Sequence, residues 1–275
     1  MRSSSFITLM VLCGMFFISG CNLPLNGASP LATPRAGIDG LIPDQETLPA
    51  PSATQAAEKG NCVNDYYPVV TGAAWKYTGN NSIGTYFSFT RTITNQSDNG
   101  FEDQDVWDSG TTRTGTWTCE DGDLTALSQG GFATVSVPAG PDTPKLEAES
   151  VKSDGVSIPA EMKIDESWDQ SINLTGKMTL LQGEMVVAVT NETQINCTPE
   201  IMENVSVPAG SFEAMKVVCS STMTISIDNN TPGTVIGTST IWYVAGIGIV
   251  KISDMSEVGQ TTIELAEYNL PALQP

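Results

Sequence analysis

The sequence predicts an all-β domain, built as a single antiparallel meander that forms either a curved open sheet or a partly closed barrel. Three observations lead to this prediction. Apolar and polar residues alternate over long stretches, turn-forming residues recur between those stretches, and no long helical period follows residue 60. The chain has 275 residues and 40% of them are hydrophobic, which is enough to form a substantial core.

Residues 1–20 have the composition of a signal peptide. One arginine precedes an apolar run from Phe6 to Gly20, which is short for a bilayer span and typical of a signal sequence. The run ends in Ile18-Ser19-Gly20-Cys21, which resembles the lipobox of bacterial lipoproteins. That resemblance implies cleavage after Gly20 and attachment of a diacylglyceryl group, with a palmitate-like acyl chain, to Cys21. The alternative is an ordinary signal peptide followed by a chance cysteine.

Two or more acyl chains hold a protein stably at a membrane. We therefore expect an exported protein of the cell envelope that is anchored through lipid on Cys21. Residues 21–60 contain six of the chain's 16 prolines and no aromatic residue, so they cannot bury enough apolar surface to offset their ordering entropy. We interpret them as a disordered tether, and residues 61–275 as the β domain.

Two segments of the domain show the strand pattern most clearly. In "GTYFSFTRTITN", Phe87, Phe89 and Ile93 share one face of a predicted strand. In "MKVVCSSTMTISI", apolar residues lie on one face and Lys, Ser and Thr on the other. Turn signals separate such segments at Gly79-Asn80-Asn81, Asp98-Asn99-Gly100, Asp121-Gly122, Asn229-Asn230 and Gly246.

The hexapeptide "VSVPAG" occurs twice, at Val135–Gly140 and Val205–Gly210. Proline followed two residues later by glycine suits a type I turn, and proline belongs at a strand end because it has no N–H for the ladder. Strand-like sequence flanks the second copy on both sides, whereas the first copy runs into a polar, proline-rich stretch. We therefore interpret the repeat as one turn used twice and not as a duplication.

The second turn also predicts a disulfide. If Val207 pairs with Gly210, the numbers of cross-strand partners sum to 417, and those of Cys197 and Cys219 sum to 416. One bulged residue near Pro199 would place the two cysteines opposite each other. The remaining mature cysteines, Cys62 and Cys119, would then form the second bridge in the oxidising environment of an exported protein.

Composition excludes several classes of function. The chain has 12 Lys and Arg against 31 Asp and Glu, a net charge of −19, so it repels nucleic acid and anionic head groups. It has no histidine, which excludes imidazole catalysis and histidine-ligated metal sites. We expect no cofactor and no nucleic-acid partner.

Acidic residues concentrate in "DNGFEDQDVWD" and "CEDGDL". These acidic residues are Asp98, Glu102, Asp103, Asp105, Asp108, Glu120, Asp121 and Asp123. Clustered carboxylates can bind Ca²⁺ or serve a glycosidase, but the spacing does not match a twelve-residue EF-hand loop. Solvated hairpin turns are the alternative that we favour, and we expect no metal and no enzyme activity.

Three segments taken together resemble a family of secreted bacterial β-proteins and lipoproteins. They are "YYPVVTGAAWKY", "VPAGSFEAMKV" and "WYVAGIGIVK", which match the family patterns YxPxxxGxxWxY, VPAG[ST]F and WYxxGxGxVK in the same order. One departure is Ala245, where the family usually has proline. The resemblance implies a β fold and transfers no catalytic residue.

The function expected from these observations is a non-catalytic envelope lipoprotein whose sheet binds an apolar or lipid-like ligand. The candidate ligand face comprises Phe87, Phe89, Met223, Ile225 and Trp242. A structural or adhesive surface module is the first alternative, and a carboxylate-dependent hydrolase is the second. A second sheet packed over the apolar face would also explain the alternation without any ligand.

Overall fold

The computed structural model describes residues 61–82, 84–127, 145–180, 185–228, 230, 233–257 and 259–271. All regular structure in these residues is β. The strands are β1 (Ala74–Asn81), β2 (Tyr86–Ser97), β3 (Gly100–Trp107), β4 (Thr112–Glu120), β5 (Asp123–Ala126), β6 (Lys145–Gly155), β7 (Trp168–Leu180), β8 (Met185–Val207), β9 (Gly210–Ile227), β10 (Gly233–Val244), β11 (Gly248–Ser256) and β12 (Gly259–Asn269). None of the described residues forms a helix that could cross a membrane.

The strands form one antiparallel sheet in the order β5-β4-β3-β2-β1-β12-β11-β10-β9-β8-β7-β6. Each strand pairs with its neighbours in sequence, except that β5 and β6 do not pair as strands and that β1 and β12 pair with each other. The sheet is therefore two consecutive meanders, β1–β5 and β6–β12, joined where the first and last strands meet. The prediction of an all-β antiparallel meander is confirmed.

The sheet curls into a nearly closed barrel whose seam lies between β5 and β6. Among the described residues, one isolated β-bridge crosses the seam: the Leu124 amide donates to the Ile158 carbonyl at 2.9 Å, and the Ile158 amide donates to the Leu124 carbonyl at 3.0 Å. The β5 strand has only four residues, so it is much shorter than the eleven-residue β6. The expected partly closed barrel is thus confirmed, with one seam that is not fully paired.

Residues 61–73 lie across one end of this barrel, and we call them the plug. Tyr67 stacks on Trp75, Phe101 and Trp117 at centroid distances of 5.6, 5.7 and 5.5 Å. The Asn64 side-chain amide donates to the carbonyls of Gly122 at 2.8 Å and of Pro159 at 2.9 Å, one on each side of the seam. The plug therefore links the two edges of the sheet.

The β8–β9 hairpin has the geometry expected from its turn. Val207 pairs with Gly210, and the register shifts between Pro199 and Ile201. Cys197 then lies opposite Cys219 and is bonded to it, and Cys62 is bonded to Cys119. These are the two pairings that the hairpin register predicts. The first VSVPAG copy lies outside the described residues.

Candidate functional site

The inner face of β1–β4 is filled by aromatic side chains. Phe89 stacks on Trp107 at 4.6 Å and on Tyr77 at 5.1 Å, and Phe87 packs on Trp107 at 5.4 Å. Phe87 and Phe89 are 7% and 3% exposed. They were predicted to face a ligand, but they belong to the packed core of the barrel.

Beside these rings lies a buried network of charges. The Arg91 guanidinium binds the Asp105 carboxylate through Nε at 2.7 Å and through a second nitrogen at 2.8 Å, and Arg113 binds Asp105 at 2.5 Å. Asp103 accepts hydrogen bonds from Tyr67 at 3.0 Å and from Trp117 at 3.1 Å. Buried charges are tolerated when they are paired and hydrogen-bonded in this way.

The network shifts the pKa values of Asp105 and Tyr67. Burial alone would raise the pKa of Asp105, but Arg91 and Arg113 hold this pKa below its ordinary value. Burial and the nearby Asp103 raise the pKa of Tyr67 well above its ordinary value. Gly115 pairs with Asp103, and the Asp103 carboxylate occupies the place where a Cβ at Gly115 would lie. The arrangement is a closed structural network inside the core.

The other acidic residues considered as calcium ligands lie apart from this network. Asp108 accepts a hydrogen bond from the Ser88 amide at 3.0 Å, and Asp123 accepts one from the Ala160 amide at 2.7 Å. Asp98, Glu120 and Asp121 are exposed, and Glu102 is half-buried. Among the described residues, no group of three or more acidic or sulfur-bearing side chains is arranged to hold a metal ion.

The packed core ends at a defined level of the barrel. Ile241 pairs with Ile252, and Ile252 with Ile263, and all three are at most 6% exposed. The next inward-facing row along the same strands is Ser239, Asp254 and Thr261, which pair in the same order. These three polar residues are only half-buried. The interior of the barrel therefore becomes accessible at this row.

Above the polar row, the inner face of β7–β10 carries apolar side chains together with the polar side chains of Asn191, Thr193 and Ser221. Ile172, Leu174, Val187 and Val189 are buried there. Met178, Met223, Ile225, Ile227 and Val235 share this face but are only half-buried. We call these five side chains, together with the polar row, the open inner wall. Met223 and Ile225, two of the predicted ligand-facing residues, belong to it.

Asp254 is the acidic residue of this wall. Burial raises the pKa of its carboxyl, and a hydrogen bond from Ser239 acts in the opposite direction. Among the described residues, the Ser239 hydroxyl, a neutral group, hydrogen-bonds to Asp254, whereas two arginines bind Asp105. The pKa values of Asp105 and Asp254 therefore shift in opposite directions, because the partners of Asp105 are positively charged and the partner of Asp254 is neutral.

Trp242 lies on the outer face of the barrel. Its inward-facing neighbours in β10 are Ile241 and Tyr243, which are 6% and 2% exposed. The Trp242 indole N–H donates to Glu203 at 2.6 Å, and the Lys251 ammonium lies 5.8 Å from its ring centroid. The five residues of the predicted ligand face therefore do not share one surface.

A shallow pocket of about 190 Å³ lies at the β2–β3–β4 end of the sheet. Asn95, Thr116, Phe101 and Trp117 contribute to its lining. Ligand sites for small molecules commonly have volumes of about 300–1,000 Å³. This pocket is smaller than that range, so the open inner wall is the better candidate site. Cys21, the predicted lipid attachment site, lies outside the described residues.

Sequence reasoning missed Asp254 and Arg91, although a signal for each was present. Arg91 has the same parity as Phe87 and Phe89, and Asp254 has the same parity as Ile252. In both strands, a charged residue occupies a position that the alternation assigns to the apolar face, and this pattern could have identified Arg91 and Asp254. The acidic residues of β3 were noticed, but their alternation with Phe101 and Trp107 on one face was not used.

The geometry defines a class of protein: a single-sheet antiparallel barrel with a plugged end, a partly paired seam and a half-exposed apolar inner wall. Residues 109–261 match the model of the DUF3108-like family. This match covers more than half of the chain, so the protein belongs to the DUF3108-like family. The matched region includes the VPAGSF and WYVAGIGIVK segments.

Two solved structures are similar to this chain. One is a protein from Bacteroides fragilis NCTC 9343 that is described as exported and as having a YmcC-like fold. Its sequence is 18% identical to this chain, and the TM-score is 0.51. The similarity covers 76% of this chain and 100% of the Bacteroides fragilis chain. The other is a protein from Parabacteroides distasonis ATCC 8503, described as a lipoprotein; it is 16% identical with a TM-score of 0.49, over 75% of this chain and 99% of that chain. No curated protein matches the sequence. At this identity the first similarity shows a shared fold.

Proposed function

We propose that the protein is an exported envelope lipoprotein, anchored through Cys21, whose β domain binds an apolar chain against the open inner wall without catalysis. The lipobox at Ile18-Ser19-Gly20-Cys21 supports the anchor. The exported Bacteroides fragilis protein of the same fold supports export. A net charge of −19 disfavours direct contact between the domain and anionic head groups, which agrees with attachment through lipid and a tether.

The observation that carries the ligand proposal is the half-burial of five large apolar side chains on an inward-facing surface. Inner residues below the polar row are buried, whereas Met223, Ile225 and Val235 above it retain accessible area. Each CH₂ group of an alkyl chain removed from water gains about 0.8 kcal/mol. An alkyl chain lying along β9 and β10 would cover this exposed area, and each of its buried CH₂ groups would add to the favourable free energy of binding.

The state of the acidic residues supports a non-enzymatic role. A carboxylate hydrolase needs two acids that are free to exchange protons with a substrate. Asp103 and Asp105 are 2% exposed and engaged by Arg91, Arg113, Tyr67 and Trp117. Asp254 is the accessible acid of the open inner wall, and no second carboxyl pairs with it in the sheet register.

The test uses the domain of residues 61–275, which carries neither the predicted signal nor the lipidated cysteine. Organic extraction of the purified domain should release bound lipid, and a fluorescent alkyl probe should bind it. Ile225→Glu, on the open inner wall, should weaken probe binding at least tenfold, because a charge replaces apolar contact. Ile236→Glu is the matched control, since Ile236 is 59% exposed on the outer face of β10.

Two results would contradict the proposal. The first is a folded domain that carries no lipid and binds no probe; this result would favour a structural or adhesive module. The second is equal loss of binding in Ile225→Glu and Ile236→Glu, which would place the probe away from the inner wall. Circular dichroism of each variant establishes that the domain is folded.

A further inference from the structure

The open inner wall is polar at its base and apolar above. Ser239, Asp254 and Thr261 form the base, where three adjacent strands place them side by side. Ser239 also pairs with Cys219, and Ile225 lies six residues further along β9. At about 3.4 Å per residue, Met223 lies about 14 Å and Ile225 about 20 Å from the base along the strand.

The shorter of these distances suits one chain of a membrane lipid. The hydrocarbon core of a bilayer is about 30 Å thick, so one leaflet provides about 15 Å. An amphiphile with its head at the base would therefore extend its chain to Met223 and end short of Ile225. The polar row contains one carboxyl and two hydroxyl groups and no basic side chain.

We propose that Ser239, Asp254 and Thr261 bind the head group of the amphiphile and select an ammonium head over a carboxylate or phosphate head. An ammonium group donates up to three hydrogen bonds, and this row offers a carboxylate and two hydroxyl oxygens as acceptors. A carboxylate or phosphate head would meet the Asp254 charge in a partly desolvated place, where like charges repel strongly. The inference rests on the proposed function and specifies its ligand class.

The position of Asp254 gives independent support. Its burial raises the pKa of the carboxyl, so the ionised form is disfavoured in the free protein. Sites that tolerate such an unfavourable group frequently bind a ligand or perform chemistry. An ammonium head would supply the positive charge that Asp254 lacks and that Asp105 obtains from Arg91 and Arg113.

The experiment uses the full chain in its own membranes. Two photoreactive alkyl probes of equal chain length, one with an ammonium head and one with a carboxylate head, are added and activated by light. Cross-linked peptides are identified by mass spectrometry, and the ratio of ammonium-probe to carboxylate-probe labelling on β7–β10 is measured. We expect this ratio to fall about tenfold in Asp254→Asn, the effect of losing one charge-assisted hydrogen bond.

The matched control is Asp169→Asn, which removes an exposed carboxyl from the outer face of β7. Its labelling ratio should equal that of the unaltered protein. Equal labelling by both probes on β7–β10, unchanged in Asp254→Asn, would overturn the head-group inference and leave the proposed apolar site intact. Absence of labelling on β7–β10 by either probe would overturn both. Hydrogen exchange of Asp254→Asn verifies that the strands remain formed.

Discussion

Two aspartates on the inner face of the barrel show how one residue type acquires different roles. Asp105 is bound by Arg91 and Arg113, and its pKa is lowered despite burial. Asp254 is hydrogen-bonded by Ser239, and its pKa is raised by burial. Ionised Asp105 therefore contributes to stability above the ordinary aspartate pKa, whereas ionised Asp254 opposes folding in the same range.

Asp254→Asn should consequently stabilise the protein at neutral pH. The folded-state pKa of Asp254 lies above its unfolded value, so the unaltered protein loses stability as the pH rises through that folded-state pKa. The variant lacks this loss. Urea unfolding at several pH values should show a stability gain at pH 7 that shrinks as the pH falls through the folded-state pKa and is absent below about 4, the ordinary aspartate value.

Asp169→Asn serves as the comparison, because Asp169 is exposed and on the outer face. It should show no such pH-dependent gain. A destabilised Asp254→Asn at neutral pH would mean that a favourable charge interaction at Asp254 outweighs its burial.

At the scale of elements, the seam depends on contacts made by segments other than the edge strands. Leu124 and Ile158 form its backbone bridge, and Asn64 of the plug donates to carbonyls on both sides. The Cys62–Cys119 disulfide fixes the plug to β4 beside these contacts. Asn64 is 5% exposed, so its hydrogen bonds have little competition from water.

Asn64→Ala should destabilise the protein by about 1–3 kcal/mol, since two buried carbonyls lose a donor. We expect the seam to lose stability before the rest of the sheet does. Hydrogen exchange at the Leu124 and Ile158 amides, which bridge the seam, should accelerate more than exchange at the β9 amides. Asn204→Ala, at an exposed position of β8, is the control and should change neither measurement. Uniform acceleration across the sheet would show that Asn64 acts on global stability alone.

At the scale of the whole molecule, the proposed lipid anchor on Cys21 would determine where the domain works. Cys21→Ser should leave the protein soluble or unprocessed, because the thiol proposed to receive the diacylglyceryl group is absent. Mass spectrometry of the unaltered N-terminal peptide should show acyl mass on Cys21. An unmodified N-terminus further along the chain would contradict the lipoprotein prediction and remove the reason for expecting a membrane lipid at the inner wall.

The fold was more predictable from sequence than the site. Alternation in "MKVVCSSTMTISI" correctly separated the inner residues of β9 from the outer ones, and the VPAG turn correctly fixed the β8–β9 register. The face of Trp242 was predicted wrongly because this residue lies within the apolar run Ile241-Trp242-Tyr243-Val244. Apolar and polar residues do not alternate there, so the pattern cannot show which side chains point inward. Phe87 and Phe89 were placed on the correct face, but periodicity cannot show that other strands cover that face.

The pairing of β1 with β12 has a consequence for the order in which the protein folds. The Lys76–Glu267 contact joins residues separated by 191 positions. Each hairpin of the two meanders can form soon after its second strand is available, but the meanders can join only when the last strand has arrived. Contacts of such high sequence separation make folding slow. Under the proposed export, the free edge of β1 would wait for translocation of the remaining residues, and transport would set the duration of that wait.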